Sequence, residues 1–275
     1  MNDTQGDHEI KQLTKKTIDD FGEQWSNYKE NPGLYGSRDL LPDLFGPLLP
    51  LDEIKDATVA EIGSGTGRII NMLLDAGVKH ALAIEPATGA FLVLKENTEQ
   101  RKEKISYLQK QGDEIPENEQ LDFIFSIGVI HHIPDPVPVM NAAYKALKPG
   151  GKMLVWVYGH EGNELYLSVA EPLRKITKIL PHALLVVLTW ILSIFLDLYI
   201  AFCRFIPLPM HTYMRNVLAK WTPSVRRMTI YDQLNPAYAK YYKKEEAEKL
   251  FTESGFKDVQ SFHRHEYSWS VIGTK

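Results

Sequence analysis

Cysteine is almost missing from this chain: of 275 residues, only Cys203 is one. A lone thiol closes no internal disulfide and builds no thiolate metal site, which excludes a disulfide scaffold and a zinc ribbon. Charge of either sign is not in excess. Lys and Arg number 31 against 35 Asp and Glu, a formal net charge of -4, so no global attraction for nucleic acid arises. The opening MNDTQGDHEIKQ contains no apolar run, so no secretory signal is expected, and a cytoplasmic chain is. The sequence also has no internal repeat and no low-complexity tract. What remains is an ordinary globular mixture, 44% hydrophobic and 24% charged, long enough for one large domain with a sizeable insertion.

From about 57 to 158, short apolar runs alternate with helix-like segments, the rhythm of a parallel sheet with crossover helices. VAEIG (59–63), ALAIE (81–85), ISYLQ (105–109), DFIFSI (122–127) and KMLVWVY (152–158) read as five strands. Helices are expected near 67–76, 89–102 and 140–147, the last stopped by Pro149-Gly150-Gly151. Residues 160–230 break the rhythm. An amphipathic helix at 243–256 follows, closed by Gly255, and then VQSFHRH (259–265) and YSWSVIGTK (267–275), two strands placed to pair antiparallel. The expected fold is α/β: a Rossmann-like, doubly wound, mostly parallel sheet with an antiparallel last strand and an α-helical insertion after the fifth strand. Four parts are expected: an extension (1–52), a core (53–159), the insertion (160–230) and the rest of the core (231–275).

AEIGSGTGR (60–68) sets Gly63, Gly65 and Gly67 between a strand and a helix, where glycines permit a sharp turn and close approach of a ligand. The spacing lacks the helix-packing glycine of the dinucleotide fingerprint. Glu61 precedes the loop, which a pyrophosphate site would avoid and a cationic ligand would favour. The second strand ends in Glu85, 18 residues after Gly67, where an acid can accept both hydroxyls of a ribose. AEIGSGTGR, AIEP, SIGVIHHIPDP and LKPGGKMLVWVYG occur in the order seen in class I S-adenosylmethionine-dependent methyltransferases. The chain resembles that family, most of all its branch of ubiquinone/menaquinone-type and other small-molecule enzymes. The resemblance implies S-adenosylmethionine as cofactor. Glu61 and the loop, Gly63, Ser64, Gly65 and Gly67, would hold its methionine portion, and Glu85 its ribose. Asp113, with Glu114 and Ile115 beside it, would reach the adenine amine. Ser126, Ile127 and Gly128 would pass near the methyl donor. FGEQW (21–25) resembles an element that closes over the cofactor in some relatives.

A sulfonium methyl is already activated, so alignment and preorganised charge can supply much of the acceleration and no nucleophile is expected. A general base helps a hydroxyl or enolisable carbon acceptor, and His suits that at neutral pH. His131 and His132 follow the fourth strand on the ligand-binding edge of such sheets, and Tyr158 ends the fifth. Each has a plain alternative: the histidines as packing or backbone-bonding groups, the tyrosine as an aromatic edge over the cofactor. His263 and His265 share a strand face without a third ligand, so no metal site is expected.

Between Pro181 and Pro207 lie 25 residues with two charged side chains, Asp197 and Arg204. As a helix they would span roughly 37 Å. His182, Thr189, Ser193, Asp197 and Arg204 would fall within about 80° of arc, a narrow polar stripe on an apolar cylinder. Mid-membrane, Asp197 would cost on the order of 3 kcal/mol, and both flanks return to one sheet, so crossing is not expected. Three readings stay open for 182–206: a lid over a lipophilic acceptor with its stripe toward solvent or cofactor, a peripheral membrane contact, and a homodimer or core helix. Arg215, Lys220, Arg226 and Arg227 follow it, as partners for anionic headgroups or as ordinary surface. The function expected is methyl transfer to a small or lipid-like acceptor, with an RNA (tRNA) methyltransferase or a non-catalytic cofactor-binding scaffold as alternatives.

Overall fold

The structure, a computed structural model, describes residues 3–177 and 179–275. Seven strands form one sheet in the order β3-β2-β1-β4-β5-β7-β6. They are β1 (Thr58–Ile62), β2 (His80–Ile84), β3 (Ile105–Leu108), β4 (Leu121–Ile127), β5 (Leu147–Tyr158), β6 (Lys257–Arg264) and β7 (Ser268–Thr274). The first five pair in parallel, and β7 runs antiparallel to both β5 and β6. This is the expected doubly wound sheet with its antiparallel last strand.

The helices are α1 (Asp3–Asn27), α2 (Leu41–Phe45), α3 (Arg68–Asp75), α4 (Thr88–Thr98), α5 (Val137–Ala146), α6 (Glu164–Thr177), α7 (His182–Phe202), α8 (His211–Asn216), α9 (Pro223–Leu234) and α10 (Lys244–Glu253). Val59, Ala81, Phe123 and Phe125 pack one sheet face on α2, α3 and α4; Ala60, Ile124, Met153 and Val155 pack the other on α5 and α10. With both faces covered, the inner strands are apolar throughout rather than alternating. Strand order reverses between β1 and β4, which opens a crevice beyond their carboxyl ends.

Two boundaries differ from the sequence reading. Pro149-Gly150-Gly151 lies inside β5, whose register against β4 shifts between the Leu121↔Leu147 and Phe123↔Lys152 pairs; it is a bulge, and α5 ends before it. The excursion after β5 also runs past residue 230. α9 continues to Leu234, and the chain rejoins the sheet where Tyr242 N–H donates to the Tyr158 carbonyl at 2.9 Å.

Within the excursion, α7 is long and apolar enough to cross a membrane by length and composition, yet one side of it is held by the protein. Leu185 packs on Tyr231 and Leu234 of α9. The small polar residues lie on this inner side: Thr189 and Ser193 are buried, their hydroxyls donating to the helix's own carbonyls of Val186 and Trp190. Asp197 accepts from Arg226 Nε of α9 at 2.7 Å. Thr189 and Ser193 therefore seat the helix against the protein, while Asp197 reaches α9 from an exposed position. The Thr189 and Ser193 part of the stripe faces neither solvent nor cofactor, unlike the stripe of the lid expectation. Arg204 is exposed, and the His182 side chain lies outside the described residues.

Candidate cofactor and acceptor site

One cavity of about 1460 Å³ runs from the β1–β4 crevice into the excursion. Pockets for a single small ligand run to roughly 300–1,000 Å³, so this one is large enough for a cofactor and an acceptor together. At the crevice, the turn after β1 places Gly63, Ser64 and Gly65 on the wall, with Glu61 beneath and Glu85 opposite. Gly63 has φ +77, and a Cβ on it would come within 2.4 Å of Val129 Cγ2, so the turn tolerates no side chain there. Gly67 is not part of the wall. It has φ +80, and a Cβ would meet Leu94 and Thr98 of α4 at 2.9 Å; it is the helix-packing glycine that the spacing was read as lacking.

The acids are arranged for a ligand. Glu85 accepts from the N–H of Gly65 and of Ala87, each at 2.9 Å, one bond per oxygen, which fixes the carboxylate and leaves lone pairs for donors. Burial pushes its carboxyl up to about 7 against those two donors. Glu61 is buried deeper, and its Oε2 has no hydrogen-bond partner among the described residues. Burial pushes Glu61 up to about 8, the Arg68 guanidinium pulling the other way. A buried carboxyl with an empty oxygen is costly unless a donor or cation arrives, and S-adenosylmethionine carries both. The residues present fit that cofactor.

Asp113, Ile127 and Gly128 also line the cavity. Three further residues of the expected set do not. Glu114 points outward and caps its own turn, accepting from Gln111 N–H at 3.2 Å. Ile115 is buried in the core between sheet and α5, and the Ser126 hydroxyl, fully buried, donates to the Ile62 carbonyl at 3.3 Å and ties β4 to β1.

The two histidines separate. They occupy a 3₁₀ turn (Ile130–His132), whose step of about 120° per residue sends adjacent side chains apart. His132 lines the cavity; His131 does not. The His131 ring is fully buried against Tyr158 and His132, its centroid 3.8 and 4.2 Å from theirs, and neither of its nitrogens is bonded among the described residues. Burial, then His132, hold its pKa well below the usual imidazole value. His131 is packing, a correction to its expected catalytic candidacy. His132 Nδ1 lies 2.9 Å from the Tyr238 carbonyl. A carbonyl only accepts, so Nδ1 carries the proton and Nε2 is a free base. Burial lowers the His132 pKa and keeps the ring neutral.

Tyr158 donates to Asp232 Oδ2 at 2.7 Å, and Gln24 of α1 donates to Asp232 Oδ1 at 3.0 Å. Burial and the Asp232 charge raise the Tyr158 pKa well above the ordinary phenol value, so it stays a donor. Beyond this pair the chamber is aromatic and apolar, with Tyr166, Tyr213, Leu196 and Met228 on its wall. Of the cations near it, Arg174 donates to the Gln233 carbonyl at 2.9 Å and Arg264 pairs with Asp43, while Lys11 and Lys15 of α1 line the cavity. Phe21 and Trp25 of α1 cover the cavity, Phe21 edge-on to His132 at 4.7 Å. The sequence reading missed Asp232 and Gln24. A signal existed for the first: Asp232 is the only acid between Asp197 and Glu245. His263 stacks on Trp269 and His265 bonds Asp43 at 2.7 Å; no metal-ligand group exists among the described residues.

Residues 60–155 match the family model described as a methyltransferase domain. Residues 60–155 thus carry a methyltransferase domain. It is 28% identical over 151 residues to phosphoethanolamine N-methyltransferase 2 of Caenorhabditis elegans, a match over 54% of this chain and 33% of that protein. A tRNA U34 carboxymethyltransferase of Idiomarina loihiensis is 25% identical over 42% of this chain and 36% of its own length. For the ubiquinone biosynthesis O-methyltransferase of Hydrogenovibrio crunogenus the figures are 26%, 42% and 46%. The match thus spans less than half the length of these relatives. Among solved structures, an S-adenosylmethionine-dependent methyltransferase from Mesorhizobium loti shares the fold, with TM-score 0.53 and 14% identity over 88% of this chain and all of that one. S-adenosylmethionine is the cofactor of the methyltransferase domain.

Proposed function

We propose that the chain is an enzyme that transfers the methyl group of S-adenosylmethionine to a small, lipophilic acceptor. The observation that supports this most is the continuity of one cavity from the Glu61–Glu85 crevice into the apolar chamber of the excursion. Bound S-adenosylmethionine supplies an activated sulfonium methyl. Glu61 and the Gly63–Gly65 turn hold its methionine portion, Glu85 accepts from its ribose, and Asp113 takes the adenine amine. His132 Nε2 removes the acceptor's proton, while Asp232, braced by Tyr158 and Gln24, orients the acceptor's polar atom. The apolar wall and the α1 cover exclude water from the transfer. An RNA acceptor asks for a basic cleft, and here the chamber wall is mostly apolar and its Arg264 is already paired with Asp43.

Incubation with labelled S-adenosylmethionine and fractionated cell extract tests this reading. Label is expected in the lipid or lipophilic small-molecule fraction, and Asp232→Asn is expected to reduce it while cofactor affinity holds. Label in RNA, or cofactor binding with no transfer to any fraction, would overturn it.

A further inference from the structure

α7 turns its large apolar side chains outward. Val187, Ile191, Ile194, Leu198 and Phe202 follow one another at helical spacing on the exposed side, and Phe205, just beyond the helix, is 86% exposed. α6 repeats the pattern with Leu165, Val169 and Ile176. A protein that stays monomeric in water does not leave so continuous an apolar face uncovered.

Two observations say what covers it. The first is charge. From the start of α6, residues 164–230 hold eight Lys and Arg against three acids, Glu164, Glu171 and Asp197, in a chain whose net charge is -4. Asp197 is already matched by Arg226. Lys175 adjoins Ile176, Arg204 lies between Phe202 and Phe205, and the Arg227 guanidinium sits 4.1 Å over the exposed Trp190 ring. Cations and an aromatic-cation pair at the margin of an apolar face match a membrane interface with anionic headgroups. A two-fold contact with a second copy would instead bring two like-charged margins together. The second is continuity with the site. Leu165 and Val169 are 63% and 66% exposed and also line the cavity, so the chamber opens within the apolar face.

We propose that the outer faces of α7 and α6 dock on an anionic lipid bilayer, with the helices lying in the interface and the cavity mouth toward the acyl chains. The inner side of α7 stays on α9, so the helix does not cross. The inference goes beyond the methyl-transfer reading and does not depend on it.

Flotation of the full chain with phosphatidylcholine vesicles, with and without phosphatidylglycerol, tests it without any turnover. Wild type is expected to float with the anionic vesicles, less so at high salt. Ile191→Glu with Phe195→Glu changes exposed residues outside the cavity wall. It is expected to lower partitioning on the order of tenfold or more, with melting temperature and cofactor affinity unchanged. Lys175→Glu with Arg204→Glu is expected to lower it several-fold. No flotation on either vesicle overturns the proposal, as does flotation indifferent to Ile191→Glu/Phe195→Glu. So does a concentration-dependent dimer that this pair dissolves, without vesicle binding.

Discussion

At one end of the cavity, Glu61, Glu85 and the glycine turn stand on strand ends that cross the core, their backbone held by parallel pairing on both sides. At the other end, Asp232, Gln233 and Tyr241 belong to an excursion whose helices pack chiefly on one another, and α7 there buries 22% of its apolar window. The first region hides apolar side chains from water on two faces; the second hides one side of each helix. That difference separates tasks. A cofactor shared by many enzymes needs a rigid, repeatable cradle, while an acceptor chamber needs only walls of the right chemistry, so it is built from helices that can vary without disturbing the sheet.

The contrast is open to experiment, and the largest effect is expected at the junction. His132→Gln should lower turnover by about 10²–10⁴-fold with cofactor affinity nearly unchanged, whereas His131→Phe should keep turnover close to wild type. Steady-state kinetics beside calorimetry reads both; equal losses in the two variants would mean that the histidines only shape the pocket. Next comes the cradle. Glu85→Ala removes the acceptor for ribose hydroxyls and orphans the N–H of Gly65 and Ala87. At about 1.5–3 kcal/mol per charge-assisted bond and two such bonds, cofactor affinity should fall by roughly two to four orders of magnitude, measured by calorimetry on folded protein.

A third expectation uses the buried acids. The carboxyls of Glu61 and Glu85, raised to about 8 and about 7, hold protons in the folded chain that the unfolded chain has released. Raising pH through that range therefore favours unfolding. Below the ordinary imidazole value of 6.5, the buried neutral histidines work oppositely, since the unfolded chain binds protons that His131 and His132 refuse. Between pH 6.5 and 8 only the acids' contribution remains, and the melting temperature without cofactor should decline. S-adenosylmethionine favours ionised Glu61, so the stabilisation it confers should grow with pH over the same window. A flat profile, or one that Glu61→Gln leaves unchanged, would deny the buried acid its cationic ligand. The smallest effect belongs to the excursion's surface. Asp197→Asn breaks a half-exposed ion pair with Arg226 and should cost about 1 kcal/mol or less by denaturant titration.

The cofactor end could be read from residues in a row because its chemistry is local. Glu61 and Gly63 sit within three positions of each other at a strand end, and Glu85 ends the neighbouring strand at a spacing set by one βα unit. The acceptor end could not. Asp232 meets Tyr158 across 74 residues and Gln24 across 208, and no spacing rule reaches so far. Adjacent His131 and His132 were indistinguishable until a 3₁₀ turn aimed one into the cavity and the other into the core. Gly67 shows the same limit: its place in the loop was plain, its contact with α4 was not.

By itself, then, the sequence determined a mostly parallel sheet with an antiparallel end, the glycine turn with its two neighbouring acids, and a helical apolar segment at 182–206. Those depend on hydrophobic period, glycine geometry and charge at neighbouring positions, all local quantities. Only the tertiary structure decided which way α7 faces. The polar arc on its cylinder suits either water or a neighbour, and Thr189 and Ser193, small and bonded to their own helix, allow close packing on α9. With that side taken, the apolar side is left outward and the cavity opens through it.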